Sequence, residues 1–124
     1  MGMDIAEMQK KISVWSKDNG WWDDLPSEGP ELDYYINSKL MMIVTEIAEA
    51  TEELRHFGGK NLETYFEEKA EGRSKPCGFG VELADAVIRI LDLAGMVGIN
   101  LETLIVMKQK YNDQRPYRHG GKKV

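Results

Sequence analysis

One cysteine, two histidines and no long apolar run set the first limits on this chain. A single thiol, Cys77, cannot build an intrachain disulfide framework. Without an extended apolar stretch there is neither a signal sequence nor a membrane span to read, so the cytoplasm is the expected compartment. Basic charge is also in short supply. A formal net charge of -5 argues against broad attraction to nucleic acid or an anionic membrane, and it requires that any small anionic ligand be met by a cation or a local basic site.

The 124 residues, 42% of them apolar, suffice for one core and are too few for two, so 1–124 is expected to form a single domain with a basic C-terminal tail from about 115 to 124. Ile5, Met8, Ile12 and Trp15 recur at helical spacing before Gly20, Pro26, Gly29 and Pro30 interrupt the pattern. A second helix is expected from about Leu32 to about His56, ending at "FGGK". The mixed stretch "NLETYFEEKAEGRSKPCGFG" reads as a connector with a short extended piece. A third helix follows over Phe79 to Val97, stopping at Gly98, and a fourth begins after Asn100, a suitable cap.

The second and third helices share an unusual pattern. Glu46-Ile47-Ala48-Glu49 and Glu82-Leu83-Ala84-Asp85 are both acid-x-x-acid. At about 100° per residue, Glu46, Glu49 and Glu53 fall in one narrow sector of an otherwise apolar helix, and Glu82, Asp85, Arg89 and Asp92 do the same on the next. One acidic stripe is ordinarily a solvated face. Two nearly apolar helices with the same acidic spacing suggest instead that the stripes face each other, where the carboxylates would repel unless a cation sat between them. Oxygen donors with no histidine or cysteine in either motif suit Mg²⁺ or Mn²⁺. A di-iron bundle would want Glu-x-x-His pairs, and His56 and His119 lie outside both motifs. A Mg²⁺ site of this kind commonly shares its coordination with phosphate, which makes phosphoryl chemistry the leading class.

Lys108 and Asn112 stand four apart on one face of the fourth helix, and Arg115 follows three later, so all three could donate to phosphate oxygens. In the loop "NGWWDD" an indole could stack on a nucleobase, with Trp22 the preferred residue and Trp21 the next. Trp15, Met41, Met42, Met96 and Met107 read as packing residues.

The blocks "TEIAEATEELR", "GFGVELADAVIRILDLAG" and "KQKYNDQRPYRHGGKK" together resemble the MazG-like nucleotide pyrophosphohydrolases of the all-α NTP pyrophosphatase superfamily, in the order of that family's motifs. A departure falls at Thr45, where many members carry a further glutamate. The resemblance implies an all-α, four-helix bundle-like MazG fold in a homodimer or homotetramer, and the acidic balance adds the expectation of no nucleic-acid or membrane partner. It also implies Mg²⁺-dependent hydrolysis of a nucleoside triphosphate between the α and β phosphates, giving a monophosphate and pyrophosphate. By carry-over, Glu46, Glu49, Glu82 and Asp85 are the metal-holding catalytic acids, and Lys108, Asn112 and Arg115 bind phosphate or sugar. The competing reading is a non-catalytic, metal-binding helical regulatory or scaffold module.

Overall fold

A computed structural model of the chain describes residues 2–60 and 62–116. It is mostly helical, in the order α1 (Ile5–Asp18), α2 (Pro30–Phe57), β1 (Phe66–Ala70), β2 (Arg73–Cys77), α3 (Phe79–Met96) and α4 (Leu101–Asp113). The helices begin where local chemistry lets them. Asp4 accepts the Glu7 amide at 2.8 Å to start α1, and Asn100 accepts the Thr103 amide at 3.2 Å to start α4. Pro30, whose fixed φ suits a first helical turn, opens α2 two residues before the expected start.

α3 lies between α1 and α2, and its contact with α2 is the most extensive in the molecule. The buried residues at these seams are mostly small: Ala50 on α2, and Ala86, Leu91 and Ala94 on α3. Small side chains let the helix backbones approach closely. Gly95 takes this furthest, since a Cβ there would lie 3.2 Å from the Ser13 Cβ and collide with its hydroxyl.

The expected four-helix, all-α arrangement needs two corrections. The connector between α2 and α3 contains an antiparallel hairpin, with Phe66 opposite Cys77 and Ala70 opposite Arg73. Glu71 and Gly72 form its two-residue turn with φ of 53° and 74°, the paired positive values of a type I′ turn. Secondly, α4 is bent 110° away from α3 and packs against α1. Glu102 accepts the Ala6 amide at 3.1 Å, and Gln9 donates to the Ile99 carbonyl at 2.7 Å. No residue of α4 is buried.

β2 leads into α3 through Gly78, which has φ of 128° and would press a Cβ to 3.3 Å from the Thr64 carbonyl. Glycine alone meets both demands comfortably, and this tight entry sets Glu82 in the first turn of α3.

The chain exposes 9852 Å². A compact monomer of this mass exposes about 6,700 Å², and ten residues outside the described set add at most about 1,600 Å² even when fully extended. The excess lies on large apolar side chains, including Leu40, Met41, Val44 and Ile47 on α2 and Leu104, Val106 and Met107 on α4. Met41, Met42 and Met107, expected as packing residues, are therefore exposed in the single chain. Among the described residues, no single helix is long and apolar enough to cross a membrane.

Candidate functional site

The α2–α3 seam brings the two acidic stripes together. One carboxylate oxygen from each of Glu46, Glu49 and Glu82 lies within 4.8 Å of the others. Glu46 is 7% exposed, Glu82 is half-buried and Glu49 is open to solvent. Glu82 Oε2 is buried without a hydrogen-bond partner among the described residues. Asp85, one turn further along α3, stands outside this tight trio and faces a neighbouring cavity together with Glu46.

Burial and proximity divide the charge unequally. Burial, then the close approach of the Glu49 carboxyl and repulsion from Asp85 and Glu46, push the Glu82 carboxyl up to about 7. Burial and Glu46 likewise raise Asp85 above the ordinary carboxylate range. For Glu46, burial acts upward too, but hydrogen bonds led by that from Arg89 outweigh it and hold the carboxyl below its usual value. Arg89 Nε donates to Glu46 Oε1 at 2.8 Å. The cluster thus has one carboxylate fixed by an internal cation and another that keeps a proton near neutrality.

Two cavities flank the trio along the helices. One of about 500 Å³ is lined by Glu46 and Lys39 of α2, Asp85, Arg89 and Asp92 of α3, Lys11 and Trp15 of α1, and Trp21 of the loop. A second of about 350 Å³ lies beyond, where Glu53, Phe57, Phe66 and Phe79 meet Lys60.

The two adjacent tryptophans are placed differently. Trp22 is an anchor, because its indole Nε1 donates to Asp92 Oδ1 at 2.8 Å and so ties the loop to α3. Trp21 is the residue that faces the larger cavity, 56% exposed, with its ring stacked on Trp15 at 6.4 Å and 21°. Trp15, expected in the core, belongs to this exposed pair.

Lys108, Asn112 and Arg115 are not brought to the acids within one chain. They lie along α4 and just after it, where Lys108 Nζ is 4.5 Å and the Arg115 guanidinium 5.6 Å from the Tyr111 ring centre. Arg118, His119, Lys122 and Lys123 of the basic tail lie outside the described residues.

Arg89, Asp92, Lys11 and Lys39 received no functional role from the sequence. For Arg89 and Asp92 a signal was present: they share a sector with Glu82 and Asp85, so a stripe turned toward α2 carries them inward too. Comparison of the chain with known protein families, with curated proteins and with solved structures returns no match.

Proposed function

We propose that this chain is a Mg²⁺-dependent, MazG-like nucleoside triphosphate pyrophosphohydrolase, cleaving between the α and β phosphates to give a monophosphate and pyrophosphate. The observation that carries the reading is the convergence of Glu46, Glu49 and Glu82 from two helices, with a buried Glu82 oxygen that has no partner among the described residues. An all-carboxylate donor set with an orphaned oxygen fits a hard divalent cation, Mg²⁺ or Mn²⁺, and fits soft metals poorly.

Such a cation supplies charge neutralisation of the phosphate chain and activation of water. The protein's own groups do the rest. Glu46, Glu49 and Glu82 would hold the cation, and Arg89 fixes the orientation of Glu46 from the cavity side. Asp85, raised above the ordinary range and outside the tight trio, is the carboxylate suited to take the proton of the attacking water. Trp21 offers an exposed indole face to the base.

The apolar side chains left open on α2 and α4 support assembly as a homodimer or homotetramer, because the surplus surface exceeds the roughly 800 Å² that each partner contributes to a standard interface. In that assembly α4 of one copy carries Lys108, Asn112 and Arg115 to the site of another.

The test is pyrophosphate release from a panel of ribo-, deoxy- and modified nucleoside triphosphates with Mg²⁺, alongside sedimentation of the same sample. Release from at least one triphosphate is expected. Metal-dependent melting with no release from any would overturn the hydrolase reading in favour of a non-catalytic metal-binding module.

A further inference from the structure

Three helices each send a cation to the larger cavity: Lys11 from α1, Lys39 from α2 and Arg89 from α3. Their partners are unequal. Arg89 meets Glu46 through Nε alone, although a guanidinium carries five N–H groups in a planar fork. Among the described residues neither Nη nitrogen of Arg89 has a hydrogen-bond or ion-pair partner, and its side chain is 39% exposed over a Glu46 side chain that is 9% exposed. Lys39 Nζ stands 5.2 Å from the Tyr35 ring centre, and neither it nor Lys11 makes an ion pair among the described residues.

The carboxylates on the same walls are differently placed. Glu46 is paired with Arg89, Asp92 accepts from the neutral Trp22 indole through one oxygen, and Asp85 lies beside the trio. Seven residues separate Lys39 from Glu46 on α2, a rise of about 10 Å along the helix. The cavity therefore joins Glu46 and Asp85 to the open fork of Arg89, two lysines, Asp92 and two stacked indoles. Its volume of about 500 Å³ suits a small ligand that joins an aromatic ring to one compact anionic group.

We infer that Arg89, Lys39 and Lys11 form an anion subsite that binds the phosphate nearest the nucleoside, so that the cavity recognises a nucleoside 5′-monophosphate unit. This rests on the nucleotide reading of the site, and it assigns the phosphate contact to residues separate from Lys108, Asn112 and Arg115. Arg89 thereby serves both walls: Nε orients a carboxylate, and the Nη groups receive the ligand. Planar guanidinium geometry allows both at once, whereas an ammonium would serve only one well.

The experiment is calorimetric titration, in metal-free buffer, of the common ribo- and deoxyribonucleoside 5′-monophosphates, their parent nucleosides and inorganic pyrophosphate. At least one monophosphate should bind on the order of tenfold more tightly than its nucleoside, the scale of a charge-assisted contact. Lys39→Met and Arg89→Lys should each lower that affinity several-fold and leave nucleoside affinity in place, with circular dichroism confirming the fold. Lys39→Met guards the test should Arg89→Lys unsettle Glu46. Equal affinity for monophosphate and nucleoside, or affinities unmoved in both variants, overturns the subsite even if triphosphates are hydrolysed. Loss of monophosphate affinity in the variants without any turnover of triphosphates upholds the subsite and removes the hydrolase reading.

Discussion

The α2–α3 seam and the α4 arm are both helical, yet α3 is much the more apolar of the helices and the circumstances of their polar groups differ. At the seam almost every polar group of α3 has a use: Glu82 joins the carboxylate trio, Asp85 faces the cavity, Arg89 holds Glu46 and Asp92 holds Trp22. On α4, Leu104, Val106, Met107 and Tyr111 are all exposed, and the cations gather round Tyr111. The acidic cluster of the seam assembles within one chain, although Val44 and Ile47 of α2 and Val87 and Ile88 of α3 stay exposed beside it. The arm has open apolar surface and, among the described residues, no comparable polar cluster. An amphipathic helix records in its sequence that it will pack, but not whether its partner is covalently attached.

The largest effect expected at the seam is on chemistry. Glu49→Gln and Glu82→Gln should each slow turnover by a few hundredfold or more, about 3–4 kcal/mol of transition-state stabilisation, while helix content by circular dichroism stays the same. Near-normal rates in both would show that the seam is structural.

Trp22→Ala breaks the contact between loop and seam and should cost roughly 3 kcal/mol of stability, at the low end for a large aromatic truncation because Trp22 is only half-buried. Trp21→Ala should leave the melting temperature nearly unchanged and instead raise KM. A reversal of the two phenotypes in melting and steady-state kinetics would restore Trp22 as the stacking residue.

Proton linkage offers a third test of the seam. Glu82 has a folded pKa of about 7 against an ordinary value of 4.5, chiefly through burial, so the folded chain holds its proton more tightly than the unfolded chain. The metal-free protein should therefore lose stability as pH rises from about 4.5 to about 7, and Mg²⁺ should restore it at the upper end of that window. Glu82→Gln should flatten the slope in a melting series. The lowered Glu46 acts oppositely, contributing stability above pH 4.5 that is lost as pH falls through its folded value, so its effect lies in a separate, more acidic window.

On the arm the expected effect is smallest per chain. Lys108→Ala should reduce activity about tenfold, by a similar factor for every base, with chain stability intact, if it contacts a phosphate shared by all nucleotides. A change in the ranking of bases would place α4 beside the nucleoside instead.

Sequence spacing conveyed the seam better than the arm. The second and third helices match their expected spans to within about two residues, and Asn100 caps α4 as its side chain demands. The acid pairs were legible because both stripes interrupt apolar faces, and three of the four residues do converge. The hairpin was harder to read. Its strands "FEEKA" and "RSKPC" are exposed on both faces except at Ala70 and Cys77, so no alternation marks them, and Glu71 occupies a turn position where Asn or Gly gives the usual signal. The preference for Trp22 over Trp21 as the exposed indole could not take account of Asp92, seventy residues away, which accepts from the Trp22 indole.

The hairpin also limits how copies of this chain can grow together. A two-residue turn makes Ala70 and Arg73 a hydrogen-bonded pair, and strict alternation then leaves Glu67 and Pro76 as a non-bonded pair. The nitrogen of Pro76 thus points away from β1, where its missing proton costs the ladder nothing and deprives the outer edge of a donor. β2 is a poor template for a third strand, and the charged run Glu67, Glu68 and Lys69 discourages addition on the β1 side. Strand capture along either edge of the hairpin is therefore disfavoured at the level of single residues.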